Sequence, residues 1–112
     1  MSKKYIFQIL LFLATFAGAS CGVSHNTASS GLLDLGEDQL YYEVSGKGFP
    51  LVLVSGGSGM DVRQWERIVP VLAQNYQVIS YDPRGIGKSD NPSARYSDTA
   101  DLRRLLDYLT VD

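Results

Sequence analysis

Residues 51–59 read LVLVSGGSG, an apolar run followed directly by a glycine-rich loop. The run at 51–54 does not alternate with polar residues and is bounded by turn residues, which is typical of a strand buried on both faces of a sheet. A helical pattern follows from Asp61, and Pro70 is expected to kink that helix or to end its first segment. A second strand is predicted at Tyr76–Tyr81. Because a helix separates the two strands, they should be parallel neighbours.

The flanking segments extend this pattern in both directions. Residues 32–35 and 39–44 are predicted to be two short strands that form a hairpin through Gly36-Glu37-Asp38. After the second parallel strand, four leucines at helical spacing predict a helix over about 97–109: Leu102, Leu105, Leu106 and Leu109. The predicted order is therefore β-β-β-α-β-α, an α/β class, with glycine-punctuated loops after both parallel strands. Open α/β sheets bind ligands at the carboxyl ends of their parallel strands, where these loops begin.

Composition narrows the classes of function. The chain has 112 residues, with 10 Lys plus Arg, 12 Asp plus Glu, one His and one Cys, for a net charge of −2. A single cysteine excludes a disulfide framework and a thiolate metal site, and the near-balanced charge gives no footprint for nucleic acid. The only histidine, His25, lies in a polar segment and is predicted to be a solvated linker residue. We expect no metal, no cofactor and no nucleic-acid partner.

The first twenty residues have the order of a secretory signal peptide. Lys3 and Lys4 precede an apolar block at 5–17 and small residues at 18–20. Cys21 then resembles the lipidated cysteine of a bacterial lipoprotein, although Gly18 stands where that motif usually has Leu. Ordinary cleavage to a soluble secreted or periplasmic protein and an uncleaved anchor are the alternatives. We expect export to the cell envelope, a lipid anchor at Cys21, a Ser-rich tether over 21–30 and one domain over 31–112.

Two short motifs suggest nucleotide binding, and both are incomplete. Gly87-Lys88-Ser89 matches the end of a phosphate-binding loop, but Asp82 stands where that loop requires glycine and would place a carboxylate against the phosphate. Gly57 and Gly59 begin a dinucleotide-binding pattern whose third glycine would fall at Val62. Neither motif therefore supports nucleotide binding.

Residues 31–112 resemble the N-terminal part of an α/β-hydrolase, and three features carry the resemblance. Ser55-Gly56-Gly57-Ser58-Gly59 is similar to the His-Gly-Gly-Pro-Gly loop of proline iminopeptidase-like and related serine hydrolases. Trp65 and the apolar residues after it resemble the helix that follows that loop. The turn DPRGIGKSD at 82–90 resembles Asp-x-Arg-Gly-x-Gly-x-Ser and is the most specific of the three. The resemblance implies an incomplete N-terminal portion of the hydrolase sheet.

The resemblance also assigns roles to single residues. It implies that the Gly57 amide donates to the oxyanion hole, and the alternative is a plain tight turn. Ser55 stands where the family usually has a His that supports the loop, and Gly56 belongs to the same support. Asp82 and Arg84 are predicted to tie the two loops together by hydrogen bonds.

The nucleophile elbow of this fold, Gly-x-Ser-x-Gly, should follow the strand after the last predicted helix, with the acid and histidine later still. Residues 56–60 and 87–91 both fail that pattern at the last position. The resemblance thus implies the leading part of an exported hydrolase of ester, amide or peptide bonds. Alone it should be inactive, and it would meet a small-molecule or peptide substrate only once the domain is completed. The alternative is a non-catalytic lipoprotein whose hydrolase-like half-domain binds a partner. We also expect self-association through the edge of the strand at 51–54.

Overall fold

A computed structural model describes residues 28–55 and 59–111. Its strands are β1 (Ser29–Asp34), β2 (Gln39–Ser45), β3 (Phe49–Val54) and β4 (Tyr76–Tyr81). Its helices are a 3-10 helix (Val62–Trp65), α1 (Val69–Leu72) and α2 (Asp98–Tyr108). The predicted order of strands and helices is confirmed, with the crossover after β3 divided into two short helices. None of the helices in this described part has the length and hydropathy to cross a membrane.

The four strands form one mixed sheet in the order β1-β2-β4-β3. The hairpin β1/β2 is antiparallel, β2 is antiparallel to β4, and β3 is parallel to β4. The predicted parallel pair is therefore confirmed. One row across the sheet joins Ser29, Val44, Ile79 and Val52, which fixes the height of each strand relative to its neighbours.

The first strand begins earlier than the sequence pattern indicates. Ser29 and Ser30, predicted to end the tether, pair with Val44 and Glu43 of β2. Serine has little strand propensity, so the ladder with β2 decides this boundary and the local sequence does not. Cys21 and His25 lie outside the described residues.

The prediction that β3 is buried on both faces is wrong. Its four central residues are half-buried, and Phe49 and Val54 are exposed. Within the described part of the chain, β3 pairs with β4 alone and is therefore an edge strand. An unalternating apolar run indicates the strand itself, whereas burial depends on neighbours that the run does not specify.

The crossover helices follow the predicted breaks. The Asp61 side chain accepts a hydrogen bond from the Arg63 N–H and caps the 3-10 helix. Gln64 turns back to donate to the carbonyls of Met60 and Asp61, so it does not complete a capping box. Pro70 lies in the first turn of α1, where a missing N–H is tolerated.

The hydrophobic core lies between the sheet and α2. Its buried residues are Leu33, Leu35, Leu40, Val44, Ile79, Tyr81 and Leu105. Three of the leucines that predicted the last helix, Leu102, Leu106 and Leu109, pack against this cluster while partly buried. Val78 is buried next to Ile79 in the chain and so points to the opposite face of β4.

Candidate functional site

The two predicted loops leave the sheet at the same edge. Val54 and Tyr81, the last residues of β3 and β4, are register partners in the parallel ladder. Residues 55 and 82 therefore begin their loops side by side at the carboxyl end of the strands. Gly56 and Gly57 lie outside the described residues, so their assigned roles stay predictions.

Ser55 fixes the start of the first loop. Its side chain is buried, and its Oγ donates a hydrogen bond to the Tyr81 carbonyl oxygen at 3.3 Å. The hydroxyl thus joins the end of β3 to the end of β4. This contact supports the predicted role of Ser55 in holding the loop.

Asp82 fixes the other end of the same loop. Its side chain is fully buried, with 1% of the residue exposed. Oδ1 accepts from the Val62 N–H at 2.8 Å, and Oδ2 accepts from the Lys88 N–H at 2.9 Å. One carboxylate therefore bridges the start of the 3-10 helix and the turn at 82–90, in the way predicted for tying the two loops together.

Gly87 lets that turn approach the Asp82 carboxylate. It has φ of +53°, and a Cβ there would overlap the Asp82 carboxylate and stand 2.8 Å from the Asp61 Cβ. Gly85 also has positive φ, +83°, but its nearest neighbour would be Pro92 Cδ at 3.6 Å, an ordinary contact. At residue 87 a side chain would clash with its neighbours, so only glycine fits. At residue 85 there is room for a side chain, and only the positive φ favours glycine.

The turn at 82–90 is also bound to β2. The Asp90 N–H donates to the Gln39 carbonyl at 2.9 Å, and the Gln39 N–H donates back to the Asp90 carboxylate at 2.8 Å. Ser89 Oγ accepts from the Tyr41 N–H at 2.8 Å and donates to the Asp82 carbonyl. These bonds hold the turn rigidly against the sheet.

Arg84 was predicted to tie the two loops together, and among the described residues it binds the hairpin turn and the last helix instead. Its buried guanidinium donates from Nε and Nη2 to the two Asp101 carboxylate oxygens at 2.8 and 2.9 Å, and from Nη1 to Asp38 at 2.9 Å. Asp38 lies in the β1–β2 turn and Asp101 in α2, and the Tyr96 ring lies 5.1 Å from the guanidinium carbon. Arg84 thus joins the hairpin to the last helix. Burial of an arginine requires paired carboxylates, but the sequence contains several acidic residues and does not single out these two.

The Asp38 carboxylate has further support. It accepts from the Ser93 N–H at 3.0 Å, and this bond, together with Arg84, holds the pKa of Asp38 below its ordinary value of 3.8. The hydrogen bonds that Arg84 donates to the Asp101 carboxylate raise the pKa of Arg84. The Arg63 side chain likewise lowers the pKa of Asp61. Asp38 and Asp61 therefore stabilise the loops when their carboxyl groups are ionised.

The described residues hold backbone N–H groups of the two loops in fixed positions. They do not contain a complete set of nucleophile, base and acid. They hold no group of three or more His, Cys, Asp or Glu side chains suited to a metal ion. The hydroxyls of Ser55 and Ser89 both donate to backbone carbonyls. The pentapeptide Gly18-Ala19-Ser20-Cys21-Gly22 also matches the Gly-x-Ser-x-Gly pattern of a nucleophile elbow. An elbow joins a strand to a helix within the sheet, whereas this pentapeptide precedes β1 and lies outside the described residues.

Comparisons with known proteins show which proteins this chain resembles. A family profile described as alpha/beta hydrolase fold matches residues 50–112. A 2-hydroxy-6-oxo-6-(2'-aminophenyl)hexa-2,4-dienoic acid hydrolase from Metapseudomonas resinovorans is 36% identical over 70 residues, which cover 61% of this chain and 24% of that protein. A soluble epoxide hydrolase from Corynebacterium sp. (strain C12) is 32% identical over 77 residues, covering 66% of this chain and 27% of that protein.

Solved structures share the same fold. The bromoperoxidase from Bacillus anthracis superposes with a TM-score of 0.66 and 39% sequence identity, covering 73% of this chain and 32% of that one. The chain spans about a quarter of the length of the curated relatives it matches.

Proposed function

Because the chain belongs to the alpha/beta hydrolase fold family, we propose that residues 31–112 form the leading part of a hydrolase that cleaves an ester, amide or peptide bond. The observation that carries this proposal is the bridge made by the Asp82 carboxylate between the Val62 and Lys88 N–H groups. The bridge holds Val62, which follows the glycine-rich segment in the chain, beside the turn at 82–90 at the carboxyl end of the strands, where open α/β sheets bind ligands.

The loop is held at both ends. Ser55 Oγ binds the Tyr81 carbonyl at one end, and Val62 N–H binds Asp82 at the other. Amides that stabilise an oxyanion act best when their positions are set before the reaction begins. Fixed ends therefore suit the proposed role of the Gly57 N–H, which would donate to the oxygen that gains negative charge during acyl transfer.

The nucleophile, acid and histidine of this hydrolase would come from outside the 112 residues, so the 112-residue chain by itself is expected to be inactive. Two of the matched relatives are named for different reactions, one on a dienoic acid and one on an epoxide. The substrate would be set by pocket residues that the matched portion does not supply.

We further propose that the protein is exported and anchored to the bacterial cell envelope by lipid at Cys21. The basic head at Lys3 and Lys4, the apolar block and the small residues before Cys21 support this. The mass of the N-terminal peptide from the membrane fraction tests it. A lipid adduct on Cys21 is expected, and a free thiol or a cleavage at another residue would contradict it.

A chimera tests the role of Gly57. Residues 28–112 replace the matching portion of an active hydrolase of the same family, which supplies the missing triad. Gly57→Pro removes the amide hydrogen and should lower kcat by roughly 10²–10³, whereas Gly57→Ala keeps it and should lose far less. Equal losses in the two variants would contradict the amide role.

A non-catalytic binding lipoprotein is the second candidate, and the open edge of β3 favours it. Within the described residues, β3 has a neighbour on one side only. A folded chimera without hydrolytic activity would favour this candidate over the first.

A further inference from the structure

We propose that Arg84 is a positioning residue of the acyl-transfer site proposed above. Its bonds to Asp101 fix the first turn of α2, and α2 leads to the segment that would carry the nucleophile. Arg84 therefore sets that segment relative to Val62, which Asp82 holds just after the glycine-rich segment. The inference rests on the proposed function and adds a residue to it.

The turn at 82–90 joins the two contacts rigidly. Asp82 and Arg84 are separated by Pro83 alone, and proline restricts its backbone to a narrow range of φ. Backbone hydrogen bonds of 2.8 to 3.1 Å close the turn on itself. The Asp82 carboxylate reaches towards the 3-10 helix and the Arg84 guanidinium towards α2. One rigid turn therefore holds both elements.

The contact with α2 is buried and bidentate. Nε and Nη2 of Arg84 donate to the two Asp101 oxygens at 2.8 and 2.9 Å, and each of these side chains is 5% exposed. Two parallel bonds fix direction as well as distance. Leu105 lies one turn further along α2 and is fully buried in the core. The Arg84 contact and the core together therefore set where α2 lies on the sheet.

The course of the chain after α2 is also defined. The Val111 N–H donates to the Leu106 carbonyl at 2.9 Å and Thr110 has φ of +57°, which together end the helix in a Schellman motif. Within the described residues, β4 already pairs with β2 and β3, so the nearer free edge for a following parallel strand is the edge of β3. The carboxyl end of that strand would lie beside Ser55, where the glycine-rich segment begins.

An acyl-transfer site depends on the distance between its nucleophile and its oxyanion donors. A misplacement of about 1 Å costs up to roughly 10²-fold in rate. In the proposed hydrolase, Asp82 holds the side that carries the donors and Arg84 holds the side that leads to the nucleophile. Loss of the contact between Arg84 and Asp101 should therefore slow the chemical step more than it weakens substrate binding.

Two substitutions at the partners of Arg84 separate positioning from general stabilisation. Asp101→Asn weakens the tie to α2, and Asp38→Asn weakens the tie to the hairpin turn. Both carboxylates are buried, with 5% and 4% of the side chain exposed. In the chimera that tests Gly57, Asp101→Asn should lower kcat at least about tenfold and change KM less than about twofold, whereas Asp38→Asn should lower kcat less than about threefold. Both should lower the melting temperature.

Arg84→Lys tests the bidentate geometry. Lysine keeps the positive charge, but its ammonium group cannot present two parallel donors to Asp101. The variant should therefore reproduce the loss of kcat seen in Asp101→Asn. The double variant should lose no more than about twofold beyond either single variant, because both substitutions remove the same contact. Fully multiplicative losses would contradict a shared contact.

Hydrogen exchange in the 112-residue chain tests the same contact without any activity. The Leu105 N–H lies one helical turn after Asp101, so it reports on the part of α2 that Arg84 holds. Asp101→Asn should accelerate exchange at this amide at least about threefold more than Asp38→Asn does.

The outcomes separate this inference from the proposed function. A chimera that folds and is inactive contradicts both. An active chimera in which Asp101→Asn and Asp38→Asn lower kcat equally overturns the positioning role and leaves the proposed function standing. Equal exchange at Leu105 in the two variants also overturns the positioning role, because α2 would then not depend on Arg84.

Discussion

The Asp82 carboxylate accepts backbone N–H groups from two loops that are separated in the chain by β4. Two acceptor oxygens are needed for this, one aimed at each loop. A side-chain amide has a single acceptor oxygen and would place an NH₂ group against the second N–H. Aspartate suits residue 82 because its two oxygens can accept both N–H groups, and this role does not require contact with substrate.

Asp82→Asn should release one of the two amides. Hydrogen exchange at Val62 or Lys88 is expected to accelerate at least about tenfold, equivalent to about 1.4 kcal/mol. Asp107→Asn, an exposed substitution in α2, serves as the control. Unchanged exchange at both amides would show that the bridge does not hold the loops.

Gly87→Ala and Gly85→Ala form a matched pair. Both place alanine at positive φ, which costs about 1–2 kcal/mol, but only residue 87 would overlap the Asp82 carboxylate. We expect the Lys88 amide to exchange much faster in Gly87→Ala than in Gly85→Ala. Similar exchange in the two variants would contradict the close approach.

The Asp38 carboxyl should titrate below pH 3.8, because the Ser93 N–H and Arg84 favour its charged form. A carboxyl with a lowered folded-state pKa stabilises the fold above its unfolded-state pKa, and this contribution is lost as pH falls through the folded-state value. Carbon-13 NMR of the Asp38 carboxyl measures the midpoint. A midpoint at or above 3.8 would contradict the clamp between Asp38, Ser93 and Arg84.

The resemblance indicated that Asp82 and Arg84 bind across the loops, but it did not name their partners. Asp82 binds the Lys88 N–H within its own turn, whereas its second partner, the Val62 N–H, lies 20 residues away in the chain. Arg84 binds Asp38 and Asp101, which lie 46 and 17 residues away in the chain. Such pairs form only when the hairpin and α2 meet in space.

At the scale of elements, the pattern of apolar and turn residues predicted which segments are strands. It did not predict how far each strand is buried. β4 has the predicted bounds, because Asn75 precedes it and Asp82-Pro83 follows it, and these residue types favour turns. β3 is half-buried where full burial was expected, and β1 begins within a serine run that has no strand signal. Edge position and ladder pairing decide both cases, and they are properties of the whole sheet.

The open edge of β3 should promote self-association, which sedimentation velocity of residues 28–112 would detect. Val54→Lys places a charge at that edge, and Leu32→Lys places one at the other edge, on β1, at nearly the same exposure of 53% and 52%. Charged residues block edge-to-edge pairing. Val54→Lys is expected to reduce association and Leu32→Lys to leave it unchanged; equal behaviour would exclude β3 as the contact.

At the scale of the whole molecule, the sheet has two unlike ends. Asp82 and the turn at 82–90 lie at the carboxyl end, and the turn at 46–48 packs on residues 73–76 at the other end. Connectivity and fold class could be predicted, because the crossover rule leaves few arrangements for a β-β-β-α-β-α order. The candidate site could be predicted only in part, since Gly57 lies outside the described residues and a hydrolase triad would be assembled from further segments.

The nucleotide sequence that follows codon 112 tests the central claim most directly. We expect a further strand, a Gly-x-Ser-x-Gly elbow after it, and later acidic and histidine codons in an open reading frame. That result would make residues 31–112 the oxyanion side of a serine hydrolase. Unrelated sequence in all three frames would contradict the hydrolase proposal and leave only the fold.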